Sequence, residues 1–373
     1  MPRIRRIRRK KPRAGSVWKK LLLWGVLGLL VLAAAVVAGS YLYVRAYLKS
    51  DGFLAMLEQS AVDDMNVETA RIDPLDWDGS GIRCGGVTME GHEFLTSLQA
   101  RNIETEFSRW ELLKRAFVIT SVNIAELKLR LAPVPFRFRE KPEGARSWAE
   151  ENILPDTFRL EKGSIDSLSV SYGEVGQLYV LDGTRVESAY DAGSSQYRFE
   201  MQGGRLLLPF KGCPEFSLMS GTAQFNHASR RVNVPSCRLT TAAGGYLDIK
   251  GDWDGSSSSW TANMVVNGVP ASSVLEDHWK KHVQGSVSGG IDLRGGRDGV
   301  THVAGLARLQ GGMLTGLPVL DRLALFCGSS RFRNLPLHEA SAQFTYQESA
   351  WHISNILVES ENLVRVEGWL EIG

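Results

Sequence analysis

Acidic side chains are missing from the first 50 residues, where twelve Lys or Arg stand without one Asp or Glu. Taking those twelve from the chain's 43 basic residues leaves 31 against 41 acidic ones, so a basic head precedes a body with net charge −10. Catalytic signatures are also missing. There is no Walker loop, no G-x-G-x-x-G between strand and helix, no G-x-S-x-G elbow and no H-E-x-x-H. The four cysteines include no C-x-x-C pair, which argues against a zinc knuckle or a thioredoxin-type centre. The 38 glycines follow no three-residue period, which excludes collagen and points to turns and sheet. With 43% hydrophobic and 23% charged residues, the chain is too apolar for disorder and too polar for a polytopic membrane protein.

One uncharged run is present. Residues 21–44, LLLWGVLGLLVLAAAVVAGSYLYV, would span roughly 36 Å as a helix, more than a ~30 Å hydrocarbon core. The basic cluster before it, residues 1–20, predicts a cytoplasmic N-terminus by the positive-inside rule, with the rest of the chain exported. Trp18 and Trp24 near one end and Tyr41, Tyr43 and Tyr47 near the other fit two headgroup belts. Cleavage of a signal peptide after Ala38 is the competing reading, but the run exceeds the usual length of a signal core. The basic arm is expected to meet anionic headgroups, with no nucleic-acid partner. Cys84, Cys213, Cys237 and Cys327 all fall in the exported part, where either disulfides or buried free thiols are compatible with the sequence.

Beyond the apolar run, three helices are predicted: FLAMLEQSAV over 53–62, preceded by Ser50-Asp51-Gly52 with the Ser or Asp as cap; SRWELLKRAF over 108–117; and PASSVLEDHWKKHV over 270–283. Almost everything else alternates with a period of two. Leu127, Leu129 and Leu131 oppose Lys128 and Arg130; Phe199 and Met201 oppose Arg198 and Glu200; Leu247 and Ile249 oppose Asp248 and Lys250; Val364 and Val366 oppose Arg365 and Glu367. Such alternation predicts an antiparallel sheet with one dry and one wet face. Two copies of DWDGS, at 76–80 and 252–256, predict tight turns, and LEKGSI, MQGGRL and LQGGML at 160, 201 and 309 predict turns or bulges. The proline-rich stretch 132–148 predicts a long loop or a boundary. The organisation read from this is a basic arm at 1–20, a membrane helix at 21–44, an α+β part at 45–140 and a β-repeat region at 141–373.

Few residues offer chemistry. His278 and His282 stand four apart on the predicted third helix, but no third ligand accompanies them, and a solvated face explains them better than a metal. Asp76 with Asp78 and Asp252 with Asp254 lack the rest of a calcium loop. No metal, cofactor or catalytic residue is expected, and an enzyme is not the reading the sequence favours.

The order of parts resembles the AsmA-like family: a basic start, a signal-anchor helix, a short helix at DGFLAMLEQ, then VETARIDPLDWDG, GIRCGGVTMEG and LQARNIETEF. The most specific likeness is GLARLQGGMLTGLPVLDRLALF at 305–326, a strand turning through paired glycines into a Leu-Pro-x-Leu segment and a short helix. The resemblance implies an elongated, curved β-sheet with an apolar groove, similar to bridge-like lipid-transfer proteins. It implies an inner-membrane-anchored, periplasmic protein that binds or conducts phospholipid acyl chains between membranes and contributes to outer-membrane homeostasis. Leu127, Leu129, Leu131, Phe199, Met201, Leu247, Ile249, Val364 and Val366 would line the groove. Because ~25 strands at ~4.8 Å would reach no further than ~120 Å, an envelope protein partner, an oligomer or an incomplete chain is expected to account for the short reach. The competing expectation is a closed β core serving as a structural or regulatory scaffold for outer-membrane assembly.

Overall fold

A computed structural model describes residues 50–77, 81–108, 116–134, 157–174, 176–209, 213–226, 228–296, 299–361 and 363–372. The basic arm and the apolar run at 21–44 lie outside these residues, and among those described no helix is long and apolar enough to cross a membrane. The chain divides into two compact units, Met1–Ala55 and Met56–Gly373. Of the first, only residues 50–55 are described. They open helix α1 (Asp51–Met65), which starts where Ser50 Oγ accepts the Phe53 N–H at 3.3 Å, as the sequence leads one to expect.

The described residues of the second unit form one curved, mixed sheet of 20 strands. It begins with β1 (Thr69–Ile72), β2 (Leu75–Trp77), β3 (Gly81–Glu90), β4 (Leu95–Phe107) and β5 (Ala116–Leu131). Then come β6 (Thr157–Leu160), β7 (Lys162–Glu174), β8 (Gln177–Asp191), β9 (Gln196–Gln202) and β10 (Arg205–Leu207). The middle holds β11 (Phe216–Asn226), β12 (Arg231–Thr241), β13 (Tyr246–Asp254), β14 (Ser259–Pro270) and β15 (Val283–Gly296). The last are β16 (Gly299–Thr315), β17 (Asn334–Leu337), β18 (Glu339–Gln347), β19 (Ala350–Ser360) and β20 (Val364–Ile372).

Pairing follows chain order. Four short strands share positions with a neighbour, so β1 and β2 both lie on β3, β6 and β7 on β5, β9 and β10 between β8 and β11, and β17 and β18 on β16. The 20 strands therefore fill sixteen positions, about 72 Å across at ~4.8 Å each, in place of the longer ladder the sequence suggests. The arrangement departs from all-antiparallel pairing at one joint. β6 and β7 run parallel to β5, with Ile124 opposite Ile165. A parallel neighbour needs a crossover rather than a hairpin, and residues 132–156 supply the length for it. Strands on both sides of the proline-rich stretch thus belong to one sheet.

Two other expected helices change form. Of 108–117, residues 109–115 are not among those described, and Ala116 and Phe117 already belong to β5. The segment 270–283 is two single turns, α2 (Ala271–Val274) and α3 (Asp277–Lys280), parted where Leu275 adopts an extended backbone. A longer helix, α4 (Pro318–Phe326), has Pro318 in its first turn, where the missing N–H costs nothing. Among the described residues two small clusters of buried side chains stand out, with other buried residues such as Val67, Leu95, Val186 and Val303 spread along the sheet. Phe216, Leu218, Leu239, Leu247 and Val269 form one, and Leu320 of α4 with Leu335 and Leu337 forms the other.

The second DWDGS copy is a hairpin turn. Asp254 closes it by accepting N–H bonds from Ser256 and Ser257, at 2.9 and 3.4 Å. The left-handed residue is Ser258 (φ 55°) rather than Gly255. In the first copy, Asp78, Gly79 and Ser80 lie outside the described residues. Gly203 and Gly204 (φ 69° and 92°) and Gly311 (φ 58°) occupy left-handed irregularities as expected, whereas Gly163 sits inside β7.

Candidate functional site: an apolar face

Because directly paired residues in adjacent strands point to the same side, the register allows one side chain to be followed across the whole sheet. Starting at the first edge, Leu75 lies opposite Cys84, then Ile103, Ile124, Ile165 and Val186. The row continues through Met201, Gly221, Cys237, Ile249 and Met264. It ends through Ile291, Gly305, Phe344, Ile353 and Leu370 at the far edge. All sixteen positions are apolar or glycine.

Rows on either side extend this strip. Towards one strand end lie Phe199, Ala223, Val234, Ala262, Leu293, Val303, Tyr346, Trp351 and Ile372, and beyond them Tyr190, Tyr197, Phe225, Val232, Trp253 and Trp260. Between β2 and β9 this second row also admits Thr105, Gly163 and Ser188, so it is less uniform. Towards the other strand end lie Leu98, Leu129, Val170, Leu181, Leu206 and Phe216.

The opposite side is polar and internally paired. Arg238 makes a two-pronged bond to Asp248, both arms 2.7 Å, with its guanidinium 4.7 Å from the Tyr246 ring centroid. The Arg238 side chain and the resulting ion pair hold the Asp248 carboxyl below its ordinary range. Asn233 donates to Asp252 and Asn263 to Asp292, while Glu126 meets Lys128 and Arg101. Ser169 and Arg205 likewise lower Asp182. These pairs fix register and keep the wet side soluble, and being exposed they contribute little stability each.

The apolar side is not closed by a second sheet among the described residues. From Cys237 to Ile353 every member of the row is only half-buried, and Leu370 at the edge is 47% exposed. In a sandwich the equivalent inward side chains would be fully buried. The nine residues nominated from the sequence all fall on this side. Leu127, Leu129, Leu131, Phe199, Met201 and Ile249 are half-buried. Leu247 is buried in the first cluster, Val364 packs against the second, and Val366 is exposed. Ile124, Ile165, Met264, Ile291 and Phe344, central to the row, lie in segments whose period-two alternation marks them equally well.

Groups with reactive potential are dispersed. All four cysteines are free thiols. His278 and His282 do not share a helix face: their rings meet edge-on at 5.5 Å, and His282 Nδ1 bonds the Thr315 carbonyl at 2.9 Å. Asp252 and Asp254 are taken up by Asn233, the turn and Arg231. Among the described residues no three His, Cys, Asp or Glu side chains gather as a metal site. A cleft of about 500 Å³ at the ends of β11–β14 is lined by Arg231, Asp254, Trp253 and Trp260, and one of about 310 Å³ by Arg71, Asp73 and Arg101.

Fold and face together define a single-sheet β protein with one continuous apolar side. No protein-family model, curated protein or solved structure matches the chain.

Proposed function

We propose that the apolar face binds the acyl chains of membrane lipid, phospholipid above all, in an envelope protein anchored in the inner membrane through residues 21–44. In this reading the protein binds or conducts lipid between membranes and contributes to outer-membrane homeostasis, as its resemblance to the AsmA-like family implies. The observation that carries the proposal is the unbroken row from Leu75 to Leu370. At ~0.8 kcal/mol per methylene, drawing a sixteen-carbon chain into water costs on the order of 13 kcal/mol. A strip with no polar interruption from edge to edge would remove that barrier along its whole length. The residues of the row act as wall, so no catalytic group is required.

The test is lipid mass spectrometry on the full chain purified in mild detergent, together with a photoreactive side chain introduced at Ile291. Co-purified phospholipid and its crosslinking at Ile291 are expected, and Ile249→Asp with Ile291→Asp should reduce the lipid load several-fold. Asp292→Asn, on the wet side, should leave it unchanged. Lipid-free protein, or equal loads in all variants, would refute the reading. A closed scaffold draws support from the two buried clusters, but these sit near the strand ends and leave the middle of the row half-buried.

A further inference from the structure

The two edges of the sheet differ. At the first, β1 and β2 have four and three residues, Pro74 separates them, and the Ile72 N–H is occupied by Glu58 Oε1 at 2.9 Å. These are devices that block further pairing. At the other, β20 runs for nine residues, and among the described residues it pairs only with β19. Its large side chains are uncovered on both sides of the strand: Trp369 is 77% exposed and Ile372 49%. A long edge strand with exposed apolar side chains is a template for another strand.

We propose that a second copy of this chain occupies that edge, β20 against β20, antiparallel about a two-fold axis through Gly368. The strand is complementary to itself in this register. Val364 meets the partner's Ile372, Val366 the partner's Leu370, and Arg365 the partner's Glu371. A shift of one residue would pair the dry side of one strand with the wet side of the other, because the side-chain period is two. A shift of two, centring on Glu367, sets Glu367 against itself. Centring on Trp369 sets Glu367 against Glu371. Like charges directly opposite are unfavourable. Centring on Val366 also faces Arg365 with Glu367 but overlaps only 364–368, so the Gly368 register alone joins opposite charges over the full nine residues of the strand. Within its own chain Glu371 has His352 Nδ1 at 3.8 Å, and Arg365 is ion-paired with Glu359 of β19 at 3.6 Å and with Glu367 of its own strand, exposed contacts that can be exchanged for the partner's carboxylate. A side chain built at Gly368 meets nothing within 4 Å, so the axis is sterically open.

A two-fold axis perpendicular to the sheet keeps both apolar faces on the same side. Sixteen strand positions become thirty-two, about 150 Å at ~4.8 Å each. The interface stands on edge geometry and charge alone, and it holds whether or not the face carries lipid.

Sedimentation velocity of the full chain in detergent is expected to show a dimer at micromolar concentration. Arg365→Glu and Glu371→Arg should each weaken self-association about tenfold or more, since each sets like charges opposite. An equimolar mixture of the two variants should restore the dimer, because every facing pair is then of opposite sign. In a Cys327→Ser background, Gly368→Cys should form an intersubunit disulfide under mild oxidation and Val364→Cys should not, because only position 368 faces itself. A wild-type monomer, charge variants that associate as the wild type does, a folded mixture that stays monomeric, or no Gly368→Cys crosslink would each overturn the proposal. Should a charge variant fail to fold, the crosslink alone decides.

Discussion

Phe344 of β18 lays its ring over Gly305 of β16, its direct partner in the register. A Cβ at position 305 would stand 2.4 Å from Phe344 Cζ and 2.7 Å from the Gly290 carbonyl oxygen. Trp260 covers Gly295 in the same way, its Cε2 2.4 Å from where a Cβ would be. These two glycines are therefore seats for a large ring from the next strand, whereas Gly221 seats the Met201 side chain, and the apolar side stays apolar at all three. Gly305→Ala should destabilise the sheet by ~1–3 kcal/mol, because ring and backbone both have to move. Gly290→Ala, where nothing lies within 4 Å, should be neutral or slightly stabilising. Urea denaturation of the two variants makes the comparison.

Thr184 is completely buried on the dry side, and its Oγ1 has no hydrogen-bond partner among the described residues. Burying an unpaired hydroxyl costs ~1–3 kcal/mol, so Thr184→Val should raise the urea midpoint, by about 1 kcal/mol of stability. The neighbouring Gly204 has the opposite expectation. Its φ of +92° is one that L side chains rarely adopt, and a Cβ would meet Thr184 Oγ1 at 2.3 Å and the Asp182 carbonyl oxygen at 2.8 Å. Gly204→Ala should lose more than about 2 kcal/mol by the same measurement.

Alternation in the sequence was enough to sort residues to the dry or wet side, because a strand's side-chain period is fixed by its backbone. Leu129 and Phe199 could be placed this way without knowing their neighbours. Pairing could not be read. That Ile124 faces Ile165 in a parallel register depends on a crossover between distant segments, and no local pattern encodes it. Local exceptions were hidden for another reason. Asn102 adopts φ 50°, so Ala100 and Ile103 point to the same side although they stand three positions apart, an odd spacing. The continuity of the row depends on such irregularities. The predicted helix carrying His278 and His282 failed because an extended break at Leu275 and Glu276 was as compatible with its residues as a further helical turn.

Asp254 predicts a pH dependence. Its carboxylate accepts the Ser256 hydroxyl and N–H first and Arg231 after these, and it is drawn down to about 2. An unfolded Asp titrates near ~3.9, so the folded state favours the ionised form. The resulting stabilisation is complete above about pH 4 and is lost as pH falls towards about 2. Hydrogen exchange in the β13–β14 hairpin should accelerate, relative to its intrinsic rate, across that interval. Asp254→Asn should remove the step and leave the hairpin less protected at neutral pH. A wild-type profile without the step would remove the ionised turn from the account of this hairpin.

The thiols separate by environment. Burial raises Cys84, whose Sγ also donates to the Gly86 carbonyl at 3.2 Å; burial raises Cys213; and burial followed by the charge of Asp248 raises Cys237. Cys327, beyond the end of α4, is exposed. Since the thiolate is the reacting species, a raised pKa and low exposure act together. At about pH 8 a disulfide reagent should titrate Cys327 promptly and the other three slowly, with all four equal once the chain is unfolded. Cys237 is the informative one, because it stands in the row between Gly221 and Ile249. Adding phospholipid should slow Cys237 further while leaving Cys327 unchanged, since only the former would lie beneath an acyl chain. Protection of both, or of neither, would separate the apolar face from lipid binding even if lipid co-purifies with the protein.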